Sequence, residues 1–465
     1  MSLPTEFSPK ELELPTTVAE SHALIVQLME RIAALEEKLK LNSRNSSKPP
    51  SSDGPGSGSS HRPKPKSDRK RGAQKGHPGA YRALLPAEQV DAVVDCALPV
   101  TCSCGGTIVA VDAKPYRHQV HEIPPIHAVV TEYRRTQGCC QDCGQHVIAP
   151  LPVGVPRGQL GPRAVALVGT LAGQYHLSQH KIHRILGQVF GVRFSVGTIS
   201  AAHGKVAQAL EAPCVAMKVA IQRAPVKHAD ETTHQSHGHG MWLWAMVSAW
   251  GAYMHIDASR SQSAARELLG ETLHGVLVSD RYAGYRWVDV QQRQVCWAHL
   301  LRDFRRIAER PGEAGRVGRH LLALGWLLFR FREERREVQE YQRLQRRMRR
   351  VLERGAHQRS CSRTANTCRN LLELWPALWR FVDDPAVEPT NNRAERALRG
   401  AVLRRKISYV TRSGRGLRFV ERIFSVVYTC MQQERDLYAY LFESMTAAFS
   451  GLEAPSLVPD FAVPA

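Results

Sequence analysis

The chain has 465 residues, a hydrophobic content of 43% and a formal net charge of +20. This length allows two to four domains with at least one large core, and the hydrophobic content is that of a globular protein. No apolar run reaches the roughly 18 residues of a membrane span, and the acidic, proline-containing N-terminus does not resemble a signal peptide. These features argue against a membrane or secreted protein, so we expect a cytoplasmic protein whose excess of arginine and lysine meets a polyanion.

The segment 16–42 has the pattern of one amphipathic helix. Its apolar residues form a seam with heptad spacing, made of Val18, Ile25, Leu28, Ile32, Leu35 and Leu39. This spacing predicts a short, leucine-zipper-like coiled coil that joins two copies, or a helix that docks on its own chain. We favour the coiled coil, and with it a homodimer or higher oligomer.

The segment 43–82 is rich in Ser, Pro, Gly and basic residues and has no apolar period. Such a composition cannot bury a core, so we predict a disordered basic linker. Its basic half, Arg62–Lys75, is suited to salt-dependent contact with phosphates. The alternative is a linker that only improves solubility.

Two cysteine pairs lie in the segment 83–150, and each is followed by glycine: Cys102 with Cys104, and Cys140 with Cys143. Alternating residues between the pairs, Val120–Tyr133, predict strands. Four thiolates on glycine-containing turns are typical of a structural Zn²⁺ site, so we predict a zinc-ribbon-like domain. The first pair is tightly spaced, and Cys96 or Cys139 are alternative ligands. The competing interpretation is a set of free buried cysteines.

The segment 157–212 predicts three helices. The first spans 161–175, the second is Ser178–Phe190 with Ser178 as N-cap, and the third begins after Ser195 and ends near Leu210. Gly191 separates the second from the third. Helix, glycine turn and helix can form a helix-turn-helix that reads a major groove, or an ordinary helical pair.

The segment 224–410 alternates strands and helices. The predicted strands are Pro225–Asp230, Met241–Ala249, Ala252–Ile256, Val276–Asp280 and Gln294–Trp297. This is the element order of a ribonuclease-H-like α/β fold with a mixed sheet. We predict a charged helical insertion at about 301–380 and a C-terminal helical region at 411–450. In such a fold the first and fourth strands are neighbours, so Asp230 and Asp280 should meet Glu395 of the helical run Asn391–Arg399.

Three converging carboxylates suit phosphodiester chemistry. Cleaving and joining DNA requires a deprotonated nucleophile and a stabilised leaving oxygen, and two Mg²⁺ ions about 4 Å apart provide both. Mg²⁺ prefers hard oxygen ligands and keeps several waters, so a few carboxylates suffice. We predict that Asp230 bridges the two ions and that Asp280 and Glu395 each hold one of them, with Mn²⁺ able to substitute.

The chain resembles the transposases of the insertion-sequence-66 family. The resemblance rests on HADETTH at 228–234, WLW at 242–244, SDRYAGY at 279–285, CWAHLLRDF at 296–304, NNRAERALR at 391–399, SGRG at 413–416 and YAYL at 438–441. It implies an aspartate-aspartate-glutamate (DDE) triad at Asp230, Asp280 and Glu395. It also implies DNA transposition in a bacterial, nucleoid-associated setting, with double-stranded element ends and target DNA as partners and with companion proteins of the same element. Two departures are Arg281, where the family often has glycine, and the tight Cys102 and Cys104 spacing.

Other polar residues near the triad have simpler interpretations. We expect Glu231 to point away from Asp230, because adjacent strand residues face opposite ways. We expect His234, His237 and His239 to lie in a polar turn rather than to bind zinc. For Cys296 and His299 two interpretations stay open: they order or metallate the active site, or they are a packed strand end.

Three functions are compatible with these features. The first is a metal-dependent DNA transposase, a polynucleotidyl transferase. The second is a zinc-ribbon DNA-binding regulator derived from a transposase and catalytically inactive, and the third is a structural assembly protein acting through the coiled coil. The presence of all three acids in their motifs favours the enzyme.

Overall fold

The computed structural model describes residues 17–46, 77, 82–111, 114–408 and 411–462. Most of the predicted basic linker, including Arg62–Lys75, lies outside the described residues. The chain divides into two compact units, one formed by residues 1–57 and 129–465 and the other by residues 58–128. No helix in the described ranges is both long and apolar enough to cross a membrane.

Helix α1 (Val18–Leu39) begins at a capping box in which Thr17 and Glu20 bond each other's backbone N–H groups. The apolar seam of this helix is exposed. Near the C-terminal end of α1, Glu37 forms ion pairs with Arg310 and Arg363 at 2.6 and 2.7 Å. The helix therefore contacts its own chain through ion pairs, while its apolar seam is exposed. The coiled coil stays a prediction.

The cysteine-containing region has little regular structure. Strands β1 (Gln137–Cys139) and β2 (His146–Ile148) form an antiparallel hairpin around the second cysteine pair. A single bridge between Thr101 and Thr107 encloses the first pair. The strands predicted at Val120–Tyr133 are wrong, because residues 114–133 contain none. Alternation creates a strand only where a partner covers the apolar face, and here Val120 and Val129 are exposed.

Four helices precede the sheet: α2 (Pro162–Gly173), α3 (Gln179–Val189), α4 (Val196–Ala209) and α5 (Glu211–Gln222). The predicted caps are confirmed, since Ser178 accepts from Lys181 N and Ser195 accepts from Thr198 N. Gly191 has the positive φ of +67° that ends a helix. Helix α5 was missed because it follows α4 directly at Leu210, without a glycine or a side-chain cap.

A five-stranded mixed sheet forms the centre of the larger unit, which confirms the predicted α/β class. Its strands are β3 (Val226–Ser236), β4 (His239–Val247), β5 (Ala252–Asp257), β6 (Val276–Ser279) and β7 (Arg293–Val295), in the order β5-β4-β3-β6-β7. β4 is antiparallel to β3 and β5, whereas β6 is parallel to β3 and β7. Helix α6 (Gln262–Leu269) connects β5 to β6.

The first strand of this sheet is longer than predicted. It continues past Asp230 to Ser236 because β4 pairs with it throughout, and the turn is only His237 and Gly238, both at positive φ. Placing His234 and His239 in the turn was therefore wrong. His234 is buried in β3, and its Nε2 lies 3.2 Å from Thr411 Oγ1.

Five helices lie between β7 and α12 (Asn392–Ser408): α7 (Trp297–Ala308), α8 (Gly312–Glu333), α9 (Val338–His357), α10 (Ser362–Glu373) and α11 (Trp375–Asp383). They share a second apolar core with β6 and β7, in which Trp297 packs against Trp379. The basic helix α9 turns Leu344, Met348 and Leu352 into this core and exposes most of its arginines.

Helices α13 (Gly414–Gln432) and α14 (Leu437–Phe449) complete the unit. α13 covers the edge strand β5, whose alternate N–H groups donate to side chains one helical turn apart. Ile256 N donates to Glu421 at 2.6 Å, Met254 N to Ser425 at 2.8 Å and Ala252 N to Thr429 at 3.0 Å. These bonds satisfy N–H groups of an edge strand that could otherwise pair with a strand of another chain.

Candidate active site

The parallel pairing of β3 and β6 aligns the two predicted aspartates. His228 pairs with Val278 in the parallel register. Asp230 and Asp280 therefore each lie two residues beyond this pair, on adjacent strands. Asp230 is inside β3, where its Oδ1 accepts from Glu231 N at 2.9 Å. Asp280 follows the end of β6, and its Oδ1 accepts from Tyr282 N at 2.8 Å. Adjacent strands thus present both carboxylates at one end of the sheet.

Helix α12 brings the third acid, Glu395, to the same end in its first turn. The residue before this helix, Asn391, is fully buried and anchors it. Asn391 Nδ2 donates to Ala229 O at 2.8 Å, and its backbone N donates to Cys296 Sγ at 3.1 Å. Asn391 therefore ties the helix of the third acid to the residue beside Asp230. Sequence reasoning missed this role, although the NN pair before the helix was visible in the motif.

The electrostatic environment of Asp230 includes the other two acids. Burial raises the pKa of Asp230 well above its usual value, and the negative charges of Glu231, Asp280 and Glu395 raise it further. The acid next to Asp230 in the chain is Glu231, and one of its oxygens accepts from Arg260 Nε at 2.8 Å. Tyr285 OH donates to the other oxygen of Glu231 at 2.8 Å. Glu231 thus has a cation and a hydroxyl group against its carboxylate, whereas Asp230 accepts from the Glu231 N–H and has three acids around it, a setting in which a bound cation would favour the ionised form.

Glu395 contacts a second set of residues. Its Oε1 lies 3.7 Å from His299 Nδ1 and its Oε2 lies 4.0 Å from Arg302. Cys296, His299 and Glu395 have ligand atoms within 4.8 Å of one another, as do His255, Asp257 and Glu267. Neither of these sets, the ones found among the described residues, includes Asp230 or Asp280. The structure therefore brings Glu395 into electrostatic range of Asp230 and points its carboxylate toward His299.

A cationic cavity of about 240 Å³ opens beside Asp280. Its walls include four arginines: Arg260, Arg281, Arg302 and Arg306. Arg281 donates to Asn370 at 2.9 Å and pairs with Asp303, so it joins the end of β6 to the helices that follow β7. Guanidinium groups next to carboxylates are suited to hold a phosphate backbone over the acids.

The two cysteine pairs adopt similar turns. Cys102 N donates to Gly106 O at 2.8 Å, and Cys140 N donates to Gln145 O at 2.9 Å. A backbone N–H of the second cysteine in each pair lowers the pKa of Cys102 and of Cys140. Turns that stabilise thiolates in this way are suited to metal ligation. The first pair belongs to the smaller unit and the second to the larger one.

Comparison with known families supports the same interpretation. The family described as "Transposase IS66 family" matches residues 157–418, which is more than half of the chain and includes all three acids. A family of unknown function (DUF6444) matches residues 1–83. No curated protein matched the chain. The chain belongs to the IS66 family of transposases.

Proposed function

We propose that the chain is a DDE transposase that binds the ends of its insertion sequence and catalyses metal-dependent DNA cleavage and strand transfer. The observation that carries this proposal is the shared position of the acids. Asp230 and Asp280 are level on parallel strands, and Asn391 anchors the helix of Glu395 to Ala229.

The proposed catalytic fold is ribonuclease-H-like. The sheet order β5-β4-β3-β6-β7, with β4 as the antiparallel strand, supports it. In this fold a central strand provides the first acid, the neighbouring parallel strand the second, and a later helix the third. The chain follows that sequence of elements with Asp230, Asp280 and Glu395.

The donors fit hard divalent cations. Asp230, Asp280 and Glu395 offer carboxylate oxygens, and burial together with the charge of the other acids raises the pKa of Asp230. These residues would hold Mg²⁺, or Mn²⁺ in its place. When bound, the ions supply activation of the oxygen nucleophile and stabilisation of the leaving 3′ oxygen.

The chain's own residues would position the DNA. Arg260, Arg302 and Arg306 face the cavity beside Asp280 and would bind phosphates on either side of the reacting one. His299 lies against Glu395 and limits where that carboxylate can point. Asn391 keeps the start of α12 against β3, so the distance between the first and third acids depends on it.

The outer segments would support binding and assembly. We propose structural Zn²⁺ at Cys102, Cys104, Cys140 and Cys143, and a homodimer or higher oligomer through the exposed seam of α1. Double-stranded element ends and target DNA are the proposed nucleic-acid partners, and companion proteins of the same element are further partners.

Incubation of the purified chain with DNA from both element ends and Mg²⁺ tests the proposal. We expect new 3′ ends at the element borders and, with added target, joined products. Asp230→Asn should abolish both reactions without loss of DNA binding, whereas Asp289→Asn, an exposed acid outside the cluster, should retain them. Activity of Asp230→Asn equal to that of the parent would refute the assignment.

A further inference from the structure

A second cationic pocket lies where α3 and α4 face the end of α12 and the start of α13. Its volume is about 540 Å³. Its walls carry Arg404, Arg412 and Arg415 together with His180 and His203, and no acidic residue is among the described residues that line it. Such a composition favours an anion.

Two helix N-termini contribute residues to the walls of this pocket. Ser413 caps the 19-residue helix α13, and its Oγ accepts from Gly416 N at 3.1 Å. This accounts for the SGRG motif at 413–416, which the catalytic site does not use. Ser178, the cap of α3, lines the same pocket. The first N–H groups of a helix have no intrahelical acceptor and carry partial positive charge, so they attract anions.

A buried hydrogen-bond donor in the pocket has no acceptor. His203 is only 5% exposed and lines the pocket, and its Nε2 makes no hydrogen bond to any described residue. Its Nδ1 lies 3.4 Å from Gln179 Nε2, which can only donate. Burial, with the charges of Arg404 and Arg415, lowers the pKa of His203 to about 3, so the ring is neutral. The neutral ring must then carry its proton on Nε2, as a donor.

Neighbouring contacts hold this donor and the arginines in place. The His203 ring stacks on Phe419 with centroids 4.1 Å apart. Arg415 donates to Ser200 Oγ at 3.0 Å, and it packs so closely on Gly204 that an added Cβ would lie 2.6 Å from Arg415 Cδ. A side chain at position 204 would displace Arg415, so the glycine preserves the pocket. Ser408 Oγ, also buried there, is a second group without a hydrogen-bond partner in the described structure.

We propose that this pocket binds a backbone phosphate of DNA, at a site separate from the three acids. The choice of DNA as the source of the phosphate rests on the proposed function. Arg404 is nine residues after Glu395 on α12, which is about 14 Å along a helix. Nine residues also turn the helix by about 180°, so the pocket would hold the DNA on a different face of α12 from the acids.

The test is fluorescence anisotropy of a 30-bp duplex and the full chain, in EDTA, over a series of NaCl concentrations. His203→Phe keeps the ring stack and the neutral charge but removes the Nε2 donor, so we expect binding about 10-fold weaker. Arg412→Gln with Arg415→Gln should reduce the slope of log K against log salt by about 1 to 2. The matched control, Arg223→Gln with Arg286→Gln, removes two exposed arginines elsewhere and should keep the parental slope.

A second arm uses inorganic phosphate and thermal unfolding. Phosphate should raise the Tm of the parent and not that of His203→Phe. If phosphate does so while all variants bind DNA like the parent, the pocket holds free phosphate and the DNA assignment is overturned. If the variants match the parent in both arms, the pocket binds no phosphate. Ser408→Ala, a smaller change, replaces His203→Phe if the latter fails to fold. Because no step requires metal or strand transfer, an inactive chain would still decide this proposal.

Discussion

Replacing Asp230 by Asn should make the metal-free chain more stable while removing its activity. The Asp230 carboxylate is desolvated and faces Glu231, Asp280 and Glu395, all of which raise its pKa. If folding raises the pKa of a carboxyl group by one unit, its ionised form destabilises the folded protein by about 1.4 kcal/mol. The amide carries no charge and can still accept from Glu231 N. The free energy of unfolding in EDTA should therefore increase by about 1 kcal/mol or more.

The same charge predicts a pH dependence. A carboxyl whose folded-state pKa is raised destabilises the protein at neutral pH, and this penalty disappears as the pH falls through the raised pKa. The stability advantage of Asp230→Asn in EDTA should thus be largest at pH 7 and above and should shrink toward pH 4. Strand transfer with Mg²⁺ should fall by more than about 100-fold, because even residues behind a metal ligand cost 10- to 100-fold.

Urea unfolding in EDTA at several pH values gives the stability, and gel assays of labelled element ends give the activity. The adjacent acid is the control. Glu231→Ala leaves the Arg260 guanidinium and the buried Tyr285 hydroxyl without their acceptor, so it should destabilise the chain by about 2–4 kcal/mol. An Asp230→Asn variant that is less stable than the parent in EDTA would contradict the repulsion between Asp230 and the neighbouring acids.

The remaining predictions concern the anchor, the zinc site and a buried histidine. Asn391→Ala should lower the free energy of unfolding by about 1–3 kcal/mol and slow strand transfer, whereas the exposed neighbour Asn392→Ala should match the parent in both assays. Metal analysis of the full chain should find one Zn²⁺ per chain and none in the Cys140→Ala, Cys143→Ala double variant; zinc retained in that variant would exclude these ligands. Burial lowers the pKa of His234 to about 4, so about 3 kcal/mol of stability should be lost as the pH falls from 6.5 to 4. His234→Gln should flatten that part of the curve of stability against pH, and an unchanged curve would show that His234 has the same pKa in the folded and the unfolded chain.

Much of the fold was predictable because its signals are local. The place of Ser178 and Ser195 before apolar helical runs predicts that they are caps, and the freedom of Gly191 at positive φ predicts a break. The apolar run that ends at Asp280 predicts a buried strand. The errors occurred where a partner decides the structure. β3 continues through polar residues because β4 pairs with it, and Val120–Tyr133 has no strand despite its alternation.

The motifs around Asp230, Asp280 and Glu395 single out the candidate acids without reference to coordinates. What lies beside these acids depends on how the chain packs. Glu395 faces His299, and Asn391 is an anchor rather than a simple helix cap. The structure also placed His203 without an acceptor among arginines. The physical reason is that residue type and spacing encode local preferences, whereas desolvation and contact between distant segments exist only after the chain has packed.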